Sequence, residues 1–430
     1  MNIILSLFAG VVTSLVIFPF ELSFLIGANT KMVVAGIGLI LLAIRYTTRM
    51  NSLANADFLR LLLWGGLVSL AGLISVVYNN TSDFVYATYI VSMLVWLSAS
   101  FVLVSAIRVA HGKVSVGLLV NYMVAVCVGQ CLLALLMDMN APLKGFVDSF
   151  LVSDGFMGKN EERLYGLGCA LDVAGTRFSA VLIMLAFLCV NSLESYRKMR
   201  LVLYTCAFLI ISVIGNMISR TTTIGVIFSV CYWLGICILP FAQSVQRRIA
   251  GMRILKYIIV TLMIFIPVII WGYENNASMH ANIRFAFEGF FSMIEKGHWE
   301  TTSNNRLADM VVFPDQMKTW LIGDGYFGNP YDSDVFYIGN GGGTYYMNTD
   351  IGYLRFIFYF GVMGTFLFCV YMFVCSRICM CRHTEYKVMF LFLLFANYIF
   401  WFKVSTDIFL IFAPFLCFRS DECDVKCITE

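Results

Sequence analysis

Charged side chains are scarce in this sequence. Of its 430 residues, 13% are charged, 60% are hydrophobic, and the mean hydropathy is +0.83. Soluble globular chains are near half apolar and a quarter charged, so this composition excludes an ordinary water-soluble protein. It predicts a chain that is solvated mainly by lipid. The net charge of +3 indicates little, because the distribution of charge matters more than its sum in a membrane protein.

Motifs of several common functional classes are also missing. The sequence has no His-Glu-x-x-His motif, no Gly-x-Ser-x-Gly motif and no phosphate-binding P-loop. Its apolar runs are nearly free of acidic residues, apart from Asp407 near the outer end of the last one. An ion-coupled transporter would usually place ionisable groups near the middle of the membrane. A single Asp-Ser-Asp triplet at residues 332–334 is weak evidence for a metal-dependent glycosyltransferase.

Cysteine is plentiful, with 14 residues, but its placement argues against disulfides and metal binding. Most cysteines lie in apolar runs, and Cys169 is the one that falls in the two long loops placed outside the cytoplasm below. We therefore expect no disulfide framework there. Two further groups have metal-binding residue types: Cys375, Cys379, Cys381 and His383, and the pair Cys423 and Cys427. Their spacings fit no compact zinc pattern, so we predict no metal site.

Twelve apolar runs have the length of a membrane-spanning helix, which takes about 17–25 residues. They cover residues 3–20, 32–46, 58–78, 84–107, 114–137, 174–193, 201–218, 222–241, 254–273, 350–375, 386–402 and 404–418. Helices are the default because lipid leaves no partner for an open strand edge. The first run lacks a basic region and a cleavage site, so we interpret it as a span and not as a removable signal. We predict an all-α polytopic membrane protein with residues 1–430 in a single membrane domain.

Basic residues cluster in every second connection between these runs. The connections after spans two, four, six, eight and ten hold about half of the 29 Lys and Arg residues and few acids. The positive-inside rule makes these connections cytoplasmic, and both termini with them. Two long segments, 138–173 and 274–349, are therefore predicted to lie outside.

The larger outer segment has helical patterns of its own. Residues 285–298 are amphipathic, and residues 304–320 bring apolar side chains near one face until Pro314 interrupts the pattern. Glycines at 323, 325 and 341–343 permit tight turns or a close backbone approach. They do not form a nucleotide-binding loop, because no predicted strand precedes them and no helix follows in the required order. We expect this segment to form a lid on the membrane surface.

Few arginines lie on the predicted outer side. They are Arg163, Arg177, Arg220, Arg284, Arg306 and Arg355. Arg177 and Arg220 lie at the ends of spans, where a charge is costly and is more often functional than in a loop. Snorkelling towards the lipid headgroups is the alternative for either residue alone. Because guanidinium groups bind phosphate bidentately, a cluster would suit a lipid-linked pyrophosphate whose tail stays in the bilayer.

Asp350 lies where the larger outer segment returns to the membrane. A carboxylate there could cap the helix that follows, or act as a general base or orienting group for an acceptor hydroxyl. Aromatic side chains of the same segment could stack on sugar rings or form an interfacial belt. They are Trp299, Trp320, Tyr326, Tyr331, Tyr337, Tyr345 and Tyr346.

Four strings, in this order, resemble the bacterial O-antigen and exopolysaccharide polymerases, a superfamily shared with the O-antigen ligases. They are IFPFELSFLIGANTKM, GNMISRTTTIGVIF, NNRLADMVVFPDQMKTWLIGDGYFG and TDIGYLRFIFYFGVMG. The first resembles the first outer turn of these enzymes, and the second their short Ser-Arg turn between two spans. The third resembles the loop segment with an Arg before a helix, and the fourth the return of that loop to the membrane. The resemblance covers most of the chain in topology.

The resemblance implies an enzyme of the bacterial inner membrane whose long loops face the periplasm. Such enzymes use undecaprenyl-pyrophosphate-linked oligosaccharides and need neither nucleotide sugar, metal nor other cofactor. Arg220 matches the Arg of the short turn, and Arg306 that of the large loop. Asp350 stands where ligases typically carry His, eleven residues before Gly361, which favours a polymerase. Some polymerases carry an Arg-x10-Gly pattern in both outer loops, and neither loop here shows that spacing.

We therefore expect a polysaccharide repeat-unit polymerase with catalytic Arg220, Arg306 and Asp350. Substrate-binding residues would be Arg163, Arg177, Arg284, Asp324, Tyr345 and Tyr346. Partners would be the lipid-linked oligosaccharide and membrane lipid, with a chain-length regulator and a flippase as further candidates, and no nucleic acid. The alternatives are an O-antigen ligase of the same superfamily, or a flippase or transporter for the lipid-linked unit. The concentration of polar residues in two outer loops favours an enzyme over a flippase.

Overall fold

A computed structural model describes residues 3–23, 27, 29–48, 56–151, 163–194, 198–238, 245–330 and 345–419. Within these ranges the chain forms α-helices, two 3-10 turns and isolated bridges, without a β-strand. The predicted all-α class is therefore confirmed for the described residues. The Asp-Ser-Asp triplet, Tyr331, Tyr337, the glycines at 341–343 and the cysteines at 423 and 427 lie outside them.

Seventeen α-helices occur in the described ranges. They are α1 (Ile3–Ile17), α2 (Thr30–Thr48), α3 (Ala56–Asn79), α4 (Tyr89–His111), α5 (Val116–Met139), α6 (Ala141–Phe150), α7 (Leu171–Glu194), α8 (Lys198–Ile218), α9 (Thr222–Ile238), α10 (Val245–Asn275), α11 (Ala277–Ala286), α12 (Glu288–Lys296), α13 (Thr302–Asp309), α14 (Met317–Leu321), α15 (Gly352–Arg382), α16 (Lys387–Phe400) and α17 (Phe409–Leu416).

Seven helices in the described ranges are long and apolar enough to cross a membrane. The segments with this property are Ala56–Asn79, Tyr89–His111, Val116–Met139, Leu171–Val190, Met199–Ile218, Gly251–Asn275 and Gly352–Arg382. Three shorter apolar helices accompany them: Ile3–Ile17, Thr30–Ile44 and Thr222–Ile238. The chain is thus a helical protein suited to a membrane, and the count of twelve spans stays a prediction.

The helix found in the last predicted span is much shorter than the apolar run that predicted it. The apolar run at 404–418 predicts a spanning helix, but α17 covers eight residues. At 1.5 Å per residue this helix is roughly 12 Å long, less than half of a hydrocarbon core of about 30 Å. Its length alone therefore does not let α17 cross a bilayer.

The described chain divides into two compact units. Of the described residues, those up to 34 and those within 101–299 form the first unit, and those within 35–100 and 300–419 form the second. The chain passes from one unit to the other within α2, within α4 and between α12 and α13. Each unit is organised around one helix, α7 in the first and α15 in the second. The single membrane domain over residues 1–430 stays a prediction.

In the first unit, α7 is enclosed by its neighbours. Its membrane-length segment is 94% buried, far more than that of any other candidate span. Gly225 lets α9 approach closely, because a Cβ at this position would overlap the backbone of Ser179. The Ser179 hydroxyl donates to the Thr221 carbonyl and accepts from the Gly225 N–H at 3.1 Å. This packing fixes the short turn between α8 and α9 relative to α7.

In the second unit, α15 is broken near its start. Phe360 and Gly361 leave helical geometry, and Gly361 has φ +69° and ψ −178°, a conformation open essentially to glycine alone. The loop after α14 fills the break: the Asp324 and Gly325 N–H groups donate to the Phe358 and Tyr359 carbonyls at 2.6 and 3.1 Å. The break thus exposes carbonyls that the loop satisfies.

Candidate functional site

The nine predicted site residues fall into both units. Four of them, Arg163, Arg177, Arg220 and Arg284, lie in the first unit. Five of them, Arg306, Asp324, Tyr345, Tyr346 and Asp350, lie in the second.

In the first unit, Arg220 and Arg163 meet on one aromatic ring. The guanidinium carbon of Arg220 lies 4.3 Å from the centroid of the Phe285 ring, and that of Arg163 lies 4.6 Å from it. Both distances end at the same point, so the two guanidinium carbons are at most about 9 Å apart. The structure therefore brings together two of the predicted arginines, which lie more than fifty positions apart in the sequence.

Glu288 adds a carboxylate to this cluster. One terminal nitrogen of Arg220 donates a hydrogen bond to Oε2 of Glu288, the first residue of α12. The side chains of Arg220 and Glu288 are 13% and 28% exposed, so the pair is partly shielded from solvent. A charge-assisted bond in this setting is stronger than a fully exposed ion pair.

A polar network holds the turn that carries Arg220. The hydroxyls of Ser219 and Thr221, on either side of it, both donate to Oδ1 of Asp172 in the first turn of α7. Gly175 makes this approach possible, because a Cβ there would lie 2.6 Å from the Ser219 hydroxyl oxygen. The turn therefore presents Arg220 from a fixed backbone.

Arg177 lies inside the first unit. It is 6% exposed, and its guanidinium carbon lies 5.6 Å from the centroid of the Phe18 ring. The charge is thus held within the protein and not at the lipid headgroups, so snorkelling does not describe this side chain. A buried cation at the start of a candidate span is costly, which agrees with a functional or organising role.

Arg284 forms an ion pair with Glu295. It donates to both carboxylate oxygens of Glu295, at 2.8 and 2.9 Å, from an exposed position on α11. Hydrogen bonds with Tyr273 and Glu295 raise its pKa above the ordinary arginine value. The structure therefore links α11 to α12 through Arg284.

In the second unit, Arg306 stands on the exposed side of α13. Thr301 caps this helix by accepting a hydrogen bond from the Asn304 N–H at 3.1 Å. The neighbouring Leu307 packs against a buried cluster at the start of α15. Arg306 itself is exposed and makes no side-chain hydrogen bond or ion pair with a residue that the structure describes. The fold thus presents this guanidinium to solvent.

Asp350 pairs with Arg355. Its Oδ1 lies 3.5 Å from Nη1 of Arg355, which is 8% exposed. The cap position of α15 belongs to Ile351, which makes no side-chain capping bond. Asp350 therefore lies one residue before the cap position, and it forms an ion pair with Arg355 in the first turn of α15.

Arg355 lies between two aromatic rings. Its guanidinium carbon is 3.5 Å from the centroid of the Phe327 ring and 4.4 Å from that of Tyr345. It also donates to the Phe327 carbonyl at 3.0 Å and to the Ser405 hydroxyl at 2.8 Å. One buried side chain thus joins three separate segments and fixes the position of Tyr345.

The segment just before Asp350 has an uncommon backbone. Met347 and Asn348 both have φ of 54°, in the left-handed region. Asn tolerates this region, but for Met it costs on the order of 1–3 kcal/mol, and such strain clusters at functional sites. The loop returns to α15 through this strained turn.

Asp324 is engaged within the protein. Its Oδ1 accepts from the Thr319 hydroxyl at 2.8 Å and lies 2.9 Å from Nζ of Lys318. Its Oδ2 accepts from the Tyr346 hydroxyl at 3.4 Å. The positive φ values of Gly323 (+86°) and Gly325 (+73°) confirm the tight turn expected from the sequence. Asp324 and Tyr346 thus stabilise the loop that fills the break in α15.

Several important contacts were not evident in the sequence. Glu288 and Phe285 belong to an amphipathic stretch, and Arg355 belongs to an apolar span. Arg284 stands four positions before Glu288, a helical spacing that suggests a pair between these two residues, yet Glu288 pairs with Arg220 and Arg284 pairs with Glu295. Among the described residues, no three His, Cys, Asp or Glu side chains cluster as metal ligands would. No protein-family model, curated protein or solved structure matches this chain.

Proposed function

We propose that this protein is a polymerase of polysaccharide repeat units in the bacterial inner membrane. It would join undecaprenyl-pyrophosphate-linked oligosaccharides at the periplasmic face and release undecaprenyl pyrophosphate. The observation that carries the proposal is the convergence of Arg220 and Arg163 on Phe285, at a turn between two apolar helices. Such a pair suits a pyrophosphate whose lipid tail stays in the bilayer.

The arginines of the first unit would bind the donor. Arg220 and Arg163, together with Arg177, would neutralise the charge that develops on the leaving pyrophosphate. The bond between the anomeric carbon and the phosphate oxygen breaks, and the pyrophosphate departs with the electron pair. This chemistry needs positive charge more than it needs a metal.

Asp350 would serve the acceptor. The hydroxyl oxygen of the incoming repeat unit forms a bond to the anomeric carbon, and its proton passes to the Asp350 carboxylate. Arg355 supports this role because it holds the carboxylate at the start of α15. Arg306, which is exposed on α13, would bind a second anionic part of the lipid-linked substrates.

Reconstitution of the purified full-length chain tests the proposal. Proteoliposomes that contain a lipid-linked oligosaccharide repeat unit should yield a ladder of longer lipid-linked chains, also in the presence of EDTA. Arg220→Ala and Arg306→Ala should abolish the ladder, whereas Arg200→Ala, an exposed residue on the predicted cytoplasmic side, should not. Transfer to a lipid core acceptor without chain extension would identify a ligase, and movement of intact units across the bilayer a flippase.

A further inference from the structure

Helix α12 turns its apolar side chains away from the protein. Phe290, Met293 and Ile294 are 59%, 54% and 83% exposed. Their spacing of three and four positions places them on one face of the helix. The buried residues of α12 are Gly289 and Ser292. This arrangement is the reverse of a surface helix in a water-soluble protein, which buries its apolar face against the core.

Polar contacts and close packing fix the opposite face of α12. Glu288 accepts a hydrogen bond from Arg220, and the Ser292 hydroxyl donates to the His298 carbonyl at 2.8 Å. A Cβ at Gly289 would lie 2.3 Å from Cζ2 of Trp299, so the indole packs directly on this glycine. A rotation of the helix that buried its apolar face would break these contacts.

Helix α12 lies beside the end of a membrane-length segment. The ring centroids of Phe291 and Tyr273 are 6.0 Å apart, with an angle of 10° between the ring planes. Tyr273 lies two residues before the end of α10, whose segment Gly251–Asn275 is apolar and 6% buried. A tyrosine at the end of such a segment is typical of the membrane–water interface. The ring contact therefore places α12 at the depth of that interface.

Lipid is the partner that the apolar face of α12 fits. The same end of α10 exposes Ile270 (50%) and Trp271 (69%), so the surface next to α12 already faces lipid. A second copy that covered Phe290, Met293 and Ile294 completely would bury on the order of 400 Å² per chain, about half of what a stable protein interface uses. A bilayer needs no minimum area, because acyl chains cover any apolar side chain at their depth.

We propose that α12 is an interfacial helix that inserts Phe290, Met293 and Ile294 into the leaflet in which α10 ends. Such helices bury an apolar face about 5–10 Å into the boundary between headgroups and acyl chains. The partner of this surface is the phospholipid bilayer. The inference goes beyond the proposed function, since it holds whether or not the chain joins repeat units.

Photo-cross-linking of the full-length chain in vesicles of phosphatidylethanolamine and phosphatidylglycerol tests the inference. The photoreactive residue p-benzoylphenylalanine replaces Ile294 in one protein, and Ile264 or Glu295 in two controls. Ile264 lies near the middle of the apolar segment of α10 and is 63% exposed, so it reports contact with acyl chains. Glu295 is 47% exposed on the other side of α12, so it reports contact with water.

Mass spectrometry after irradiation measures the phospholipid adducts. The adduct at Ile294 should be close in yield to that at Ile264 and several-fold above that at Glu295. Met293, on the same face, is the second test position if the Ile294 protein is not produced.

Three results would overturn the inference. An Ile294 adduct no larger than that of Glu295, with a normal adduct at Ile264, would show that the face lies in water. A cross-linked pair of chains in place of the lipid adduct would identify a second copy as the cover. A cross-link from Ile294 to another segment of the same chain would show that the protein covers this face itself.

Discussion

Arg355 and Asp350 form an ion pair across the start of α15, with 3.5 Å between Nη1 and Oδ1. Asp350 comes from the returning end of the large loop, and Arg355 from the first turn of the helix. The guanidinium is enclosed by Phe327 and Tyr345, while the Asp350 side chain is 25% exposed. The carboxylate therefore keeps access to a ligand while its orientation is fixed from the buried side.

Replacing Arg355 should destabilise the second unit. In Arg355→Gln, Asp350 loses the ion pair with Arg355, and the Phe327 and Tyr345 rings lose their contacts with the guanidinium. We expect the free energy of unfolding to fall by about 3 kcal/mol. We expect the thermal unfolding midpoint in detergent to fall by roughly 5 °C and chain extension to be lost. An unchanged midpoint would show that the pair contributes nothing to the fold.

Replacing Arg306 should separate activity from stability. This guanidinium is exposed on α13, and a surface substitution changes stability by about 0.5 kcal/mol or less. We expect Arg306→Gln to keep the wild-type unfolding midpoint and to reduce the rate of chain extension about 100-fold, as loss of one charge-stabilising donor typically does. Full activity in this variant would show that Arg306 does not take part in the reaction.

Gly361 should be intolerant of any side chain. A Cβ there would meet the Leu321 carbonyl and lie 2.7 Å from the Ile322 N, at a φ of +69° that other residues rarely adopt. Gly361→Ala should therefore displace the loop from the break in α15 and lower the unfolding midpoint by several degrees. The control is Gly36→Ala in α2, where nothing lies within 4 Å and alanine should be neutral or slightly stabilising. Equal midpoints for the two variants would contradict the role of Gly361.

Thiol labelling should reveal the side of the membrane on which α13 lies. Burial raises the pKa of the Cys169 thiol, so at neutral pH it is protonated as well as covered and should not react. Intact spheroplasts with the wild-type protein should give no signal with a membrane-impermeant maleimide. Asp309→Cys, at an exposed position of α13, should be labelled from outside. A signal from Asp309→Cys that exceeds the wild-type signal only after permeabilisation would reverse the predicted orientation, since exposed Cys381 on the predicted cytoplasmic side is common to both proteins.

Local sequence patterns predicted most of the helices. Each of the twelve apolar runs contains a helix, because apolar length acts over neighbouring residues, and this holds even where a helix includes a proline, as at Pro267 and Pro414. Pro314 was expected to interrupt the pattern in 304–320, and it does lie between α13 and α14. The break at Gly361 was not predicted, since it depends on a loop segment some forty positions earlier.

For the candidate site, the sequence by itself determined which residues are chemically notable: a few arginines, one aspartate at the return of a loop, and glycines that permit turns. Their scarcity in an apolar chain makes them visible without a structure. Only the tertiary structure decided their partners, such as Glu288 for Arg220, 68 positions away, and Phe285 for both Arg163 and Arg220. The physical reason is that an ion pair or a ring contact depends on distance in space, and the packing around α7 and α15 sets that distance through contacts that no local pattern records.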